Sequence, residues 1–187
     1  LAIDTSKKTY INLKGNLGSL LVIDSGIPKN TLGVLKDARL NAQKALEVIQ
    51  KLDKSFILLD AKESDYIKYK DNLSRDLRPY WKATILNYMI TKKAIKILEQ
   101  NNSSQNELSE LMNSHQALLS NEIQNTPEAI TNQIKQGIKA GAYGSKIVGS
   151  GGGGCMVAMV NPINILNIKN AFLKAGAKDV FEVNLTN

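Results

Sequence analysis

The chain has 187 residues, 43% of them hydrophobic, which suits one sizeable domain with a packed core. Lys and Arg outnumber Asp and Glu by 24 to 17, a formal charge of +7, yet the basic residues are dispersed and only 5% of the chain is aromatic. That pattern argues against a nucleic-acid interface, which gathers basic residues on one face beside stacking aromatics, and is compatible with an anionic small ligand.

The chain opens on strands. "TYINL" (9–13) and "GSLLVIDSG" (18–26) are separated by "KGN", and the second is so apolar that it belongs in the middle of a sheet. After Pro28 and a candidate cap at Thr31, the residues Leu32, Leu35, Ala38, Ala42, Ala45, Leu46 and Ile49 recur near helical spacing and predict one amphipathic helix over 32–52. Residues 53–77 have no clear period and predict a short helix with loops. Pro79 suits a helix start, and Trp81, Ile85, Tyr88, Met89, Ile95 and Leu98 follow at helical spacing as far as "QNNSSQN" (100–106).

In "NELSELMNSHQALLSNEI" the apolar stripe is Leu108, Leu111, Met112, His115, Leu118 and Leu119. "NTPEAITNQIKQGIKAG" carries Thr126 as N-cap, Pro127 at the first helical position, Ile130, Ile134 and Ile138 four apart, and Gly141 as the stop. Two strand-like runs then flank a glycine cluster. Asn161 and Pro162 open a last helix running to Ala175 and Gly176, and "DVFEV" (179–183) closes the chain as a strand. Strands at both ends with helices between predict an α+β fold: a mainly antiparallel sheet covered by helices on one face, in a single domain over 1–187, with 27–143 as one very long crossover. No apolar stretch reaches the roughly eighteen residues of a membrane span, and no membrane partner is expected.

The glycine cluster lies in "GSKIVGSGGGGCMVAMV" (144–160). A glycine costs about 0.5–1 kcal/mol of backbone entropy relative to alanine in a regular element, and a tight hairpin needs only one or two of them. The excess implies either that the amides of Gly149, Ser150, Gly151, Gly152, Gly153 and Gly154 converge on an anion, or that another backbone comes very close. A structural turn is the plain alternative. A Walker A loop ends in Gly-Lys-Ser/Thr and enters a helix, and a dinucleotide fingerprint also runs from strand into helix. Here Gly154 leads through Cys155 into a strand, so neither fits.

Other residues carry weaker signals. Asp24 ends an apolar strand and, with Ser25, is a candidate substrate contact or a turn before Gly26. Lys146 is placed to meet a phosphate or, by strand alternation, solvent. His115, the single histidine, reads as packed on its helix stripe rather than as a general base. Cys155, the single cysteine, excludes an internal disulfide and reads as a buried structural thiol; no Cys/His spacing fits zinc, no metal site is expected, and a reducing, cytoplasmic setting is. Tyr66, Tyr69, Tyr80 and Trp81 are candidates for a sugar cleft, although Trp81 and Tyr88 fit a core stripe better.

"GAYGSKIVGSGGGGCMVAMV" (141–160), with the helix before it and the strand, helix and strand after it, resembles the third conserved motif of the GHMP kinase superfamily. "ELMNSHQALLSNEIQNTPEAI" and "LLVIDSGIPKNTLGVLKDAR" resemble segments of its galactokinase branch, so the likeness spans most of 18–185. It implies the carboxy-terminal domain of that superfamily, with a ferredoxin-like sheet, in an ATP-dependent kinase that phosphorylates galactose at its anomeric hydroxyl. The same resemblance implies that the loop 149–154 lies beside the nucleotide phosphates. ATP and Mg²⁺ would be held mainly by an amino-terminal half that also carries the catalytic aspartate. That half and a small sugar are the expected partners, and this chain alone is expected to be inactive. Gly152 and Gly153 stand where galactokinases often place phenylalanine, a feature nearer to mevalonate and heptose kinases. Those are the alternative reading, together with a non-catalytic metabolite-binding domain.

Overall fold

The structure is a computed structural model that describes residues 1–5, 7–29, 31–100 and 104–183, with backbone only over 31–35. Its strands are β1 (Ala2–Asp4), β2 (Thr9–Ile11), β3 (Ser19–Asp24), β4 (Gly144–Ile147), β5 (Cys155–Val160) and β6 (Asp179–Val183). Its α-helices are α1 (Thr31–Leu52), α2 (Glu63–Tyr69), α3 (Arg78–Leu98), α4 (Gln105–Leu118), α5 (Glu128–Lys139) and α6 (Ile165–Lys174).

The main sheet has the order β4-β5-β3-β6, with every neighbouring pair antiparallel. With β4–β5 as a hairpin and α6 returning the chain to β6, this is the ferredoxin-like arrangement of an α+β fold. The apolar run of β3 explains its inner position, since a strand between two others exposes no edge and profits from side chains on both faces. Leu21 and Ile23 are fully buried, in one cluster with Ile147, Met156, Ala158, Ile130, Ile168 and Phe172. Gly137 lets α5 and α6 approach closely: a Cβ there would stand 2.2 Å from Cζ of Phe172, so the bare backbone of α5 seats the ring of α6.

Two expectations are corrected here. The stretch 9–13 is not a neighbour of β3; its residues 9–11 pair with Ala2–Asp4 in a separate two-stranded ribbon. β2 is exposed along its length and lacks the apolar run that an inner strand requires, and the Gly15 N–H donates instead to the Leu98 carbonyl at 2.8 Å. Nor are the helices confined to one face. The α5–α6 layer covers one, but α4 crosses the other, where a Cβ on Gly144 would lie 2.7 Å from the Ser109 carbonyl oxygen.

α1, α2 and α3 enclose a second core of Ala45, Ile49, Phe56, Tyr69, Trp81 and Ile85. Phe56 lies edge-on to Tyr69 and to Trp81 with ring centroids 5.6 Å apart in both pairs. Tyr69 and Trp81 are therefore packing residues, as the stripe indicated for Trp81, and Tyr69 donates its hydroxyl to Asp53 at 2.6 Å. Leu32 and Leu35 of the α1 stripe lie outside the described side chains, and residues 101–103 of the expected break lie outside the described residues. Among the described residues, no helix is long and apolar enough to cross a membrane.

Candidate functional site

β4 and β5 are joined by residues 148–154, closed at the base by the Val148 N–H donating to the Cys155 carbonyl at 2.9 Å. Gly149, Gly151, Gly152, Gly153 and Gly154 all have positive φ, from +71° to +133°. That is the left-handed region in which a Cβ is penalised, so the loop's path demands glycine at each.

Close approach is a second reason. A Cβ on Gly151 would lie 2.5 Å from the Asn125 carbonyl oxygen, and one on Gly153 would lie 2.3 Å from that of Pro28. Two protein carbonyls thus occupy two of the places that the sequence left open to a phosphate or another backbone. Two of the loop's amides are taken as well: Gly152 N–H donates to the same Asn125 O at 2.7 Å and Gly154 N–H to Ile27 O at 2.9 Å. The N–H groups of Gly149, Ser150, Gly151 and Gly153 make no hydrogen bond among the described residues. The loop is pinned on two sides and keeps four donors.

Both walls are built by helix ends and strand ends. Behind α4 the chain makes one π-helical turn (Leu119–Ile123), and Gln124 takes a left-handed conformation with φ 56° and ψ 35°. The next residue, Asn125, is buried and donates its Nδ2 to the Ser150 carbonyl at 3.0 Å. Its neighbour Thr126 was expected as the α5 cap. α5 instead begins at Glu128 after Pro127, and the Thr126 hydroxyl accepts from Gln116 Nε2 at 2.9 Å. Gln116, itself buried on α4, accepts the Ile147 N–H at 2.9 Å. Asn113 lies one turn earlier on the same helix: it accepts the Ser145 N–H at 3.1 Å and donates to the Tyr143 carbonyl at 2.9 Å. Two side-chain amides therefore satisfy the free edge of β4, as a fifth strand would.

The other wall is the turn after β3. Ser25 is buried; its N–H donates to the Gly154 carbonyl at 3.1 Å, and its hydroxyl accepts the Ile27 N–H at 3.1 Å. Gln133 of α5 donates to the Ser25 carbonyl at 3.1 Å. Asp24 turns its carboxylate to the Gly26 N–H at 3.0 Å and stands 3.9 Å from the Lys178 amine. Both residues adjoin the loop, Ser25 through its backbone. Lys29 completes this wall with its amine 3.1 Å from the place a Cβ would take on Gly149.

Cys155 is exposed, which corrects the expectation of a buried thiol. As the first residue of β5 it pairs with Asp24 and shares the side of the sheet away from the α5–α6 core, by strand alternation. On that same side Lys146 turns its amine to the Ile147 carbonyl at 2.6 Å, and burial pushes its pKa down. His115 lines an apolar cavity of about 370 Å³ with Met112, Met159 and Leu108. Burial, and then the charge of Lys146, lower its pKa to about 4, so it is a neutral packed imidazole near pH 7. Lys29, Asn113, Gln116 and Asn125 were not singled out from the sequence. No local pattern marks them: Asn113 and Gln116 lie beside the apolar stripe of α4, and Lys29 and Asn125 in connecting segments.

Residues 92–178 match the family model described as GHMP kinases C terminal. The structure of Lactococcus lactis galactokinase complexed with galactose superposes with a TM-score of 0.83 at 18% identity, covering 97% of this chain and 48% of that one. L. major mevalonate kinase in complex with R-mevalonate superposes at 0.57 with 19% identity, over 88% and 41% of the two chains. Mevalonate kinase from methicillin-resistant Staphylococcus aureus MRSA252 does so at 0.53 with 19% identity, over 93% and 43%. The chain thus spans less than half the length of these kinases, and at such identities the likeness concerns the fold. No curated protein matches the sequence.

Proposed function

We propose that this chain, acting as one domain, is the carboxy-terminal part of an ATP-dependent small-molecule kinase whose acceptor is galactose, phosphorylated at the anomeric hydroxyl. The loop carries the kinase reading: four N–H donors without partners, on a backbone clamped from both sides, suit the phosphates of a nucleotide. Fixed dipoles of this kind stabilise charge developing on a transferred phosphoryl group without having to reorganise. The choice of galactose is supported by the better superposition on the galactokinase than on the mevalonate kinases.

On this reading ATP supplies the phosphoryl group, and Gly149, Ser150, Gly151 and Gly153 offer it donors, while Gly152 and Gly154 spend theirs on the walls. Ser25 acts through the loop it tethers, and Asp24 stands at the mouth towards the acceptor. Among the described residues no group of three or more His, Cys, Asp or Glu converges on a metal position. On this reading Mg²⁺ is held mainly, and the catalytic base wholly, by an amino-terminal half, in the cytoplasm that a lone exposed thiol suits.

The test is ATP-dependent phosphoryl transfer by the polypeptide that the whole gene encodes, with galactose, mevalonate and a heptose as acceptors. Transfer to galactose is expected, and none by residues 1–187 alone. Transfer only to mevalonate or heptose would reassign the acceptor. Metabolite binding without any transfer would replace the kinase by a binding domain.

A further inference from the structure

Lys29 is exposed and makes no ion pair among the described residues. It nevertheless lies along the glycine loop rather than away from it. Its Cγ, Cδ and Cε stand 3.4 to 3.9 Å from where a Cβ would sit on Gly154, and its amine stands over Gly149. A Cβ on Gly149 would press on the amine at 3.1 Å, and one on Gly154 would lie in ordinary contact with the stem.

The charges around this point have one sign. Four unpaired N–H groups, each a positive pole, share the loop with a full ammonium charge, and α1 begins two residues on with the positive end of a 22-residue helix. The neighbouring acid, Asp24, is occupied by the Gly26 N–H and Lys178. Positive poles brought together without a counter-charge repel one another, and an anion seated among them reverses the sign of every term.

We propose that Lys29 is a direct phosphate ligand at this loop, giving the amide nest the charge it lacks and selecting a polyphosphate over a singly charged anion. Resting on the kinase reading above, this adds a binding residue carried by the present chain. A lysine suits the position because its compact charge rides on a flexible stem that can follow the phosphates.

The test titrates the ¹⁵N-labelled chain with inorganic tripolyphosphate and, separately, with Mg-ATP, following the amides of Gly149, Ser150, Gly151 and Gly153. These amides are expected to shift with both. Lys29→Ala should weaken apparent affinity about tenfold and Lys29→Glu should remove the response, whereas Lys29→Arg should stay within about threefold of the parent. Lys174→Glu, the same change of net charge at an exposed residue of α6, should leave binding unchanged. A Lys29→Glu chain whose loop responds like the parent would overturn the role of Lys29 and leave the phosphate site standing. A parent loop that responds to neither ligand would overturn both. A response to tripolyphosphate alone would keep Lys29 as a polyphosphate ligand and remove the nucleotide.

Discussion

Asn125 touches the glycine loop through its main chain and its side chain together, accepting from Gly152 and donating to Ser150. Asn125→Ala deletes the second bond and leaves the Ser150 carbonyl short of a partner, which should cost about 1–3 kcal/mol in urea unfolding and broaden the loop amides. Gly153→Ala is harsher for the loop. Its new methyl would meet the Pro28 carbonyl at 2.3 Å on a residue with φ +133°, so the loop must leave its wall, and the loss should be about 1–3 kcal/mol together with loss of any anion response. His115 supplies a pH dependence. Its pKa falls from 6.5 to about 4 on folding, so the unfolded chain takes up the proton first as pH drops. Stability from the neutral imidazole is complete above about 6.5 and is lost as pH falls from there towards about 4. The difference in urea midpoint between the parent and His115→Leu should shift across that window in favour of the variant; an unchanged difference would contradict a buried neutral imidazole.

At the scale of elements, α4 has two tasks that its apolar stripe does not reveal. Its stripe packs the cavity side, while Asn113 and Gln116, three residues apart and so one above the other on the helix, cap the edge of β4. Gln116→Leu keeps the volume but leaves the Ile147 N–H buried without a partner, and should lower stability by about 1–3 kcal/mol. In the other layer, Gly137→Ala trades an intrinsic gain in helix propensity of up to about 1 kcal/mol for a clash with Phe172. Since the added carbon would lie 2.2 Å from the ring, the clash should win and the thermal midpoint should fall. The places of α1, α3, α6 and β6 were legible because each has local punctuation, such as Pro79 in the first turn of α3 and Asn161 capping the short 3-10 turn that leads into α6. The start of α5 was not, because Thr126, a competent cap, is claimed by Gln116 from ten residues away in sequence.

For the molecule as a whole, two cores meet across α3 and α4: a sheet core under α5 and α6, and a helical core around Trp81. The ribbon β1–β2 belongs to neither, with Leu1, Ile3, Tyr10 and Ile11 all more than half exposed. A two-stranded ribbon is marginal by itself. Hydrogen exchange should therefore be fastest in β1 and β2 and slowest in β3 and β5, whose amides lie inside the sheet and over the buried cluster. Slow exchange in the ribbon would show it to be held by more than its own pairing.

What the amino-acid order settled unaided was whatever depends on neighbours within a turn or a strand: the helix stripes, the central place of β3, and the demand for glycine across 149–154. Composition and periodicity suffice there because backbone propensity and the in-or-out choice of each side chain are decided over a few residues. The partners of that loop were beyond such reach. Lys29, Asn125 and Gln116 stand 120, 25 and 31 positions from the residues they serve, Gly149, Ser150 and Ile147, counted along the numbering. Only the packing of α4 and of the turn after β3 against one hairpin brings them there, because a hydrogen bond or a close approach is a condition on distance in space, which no local pattern encodes.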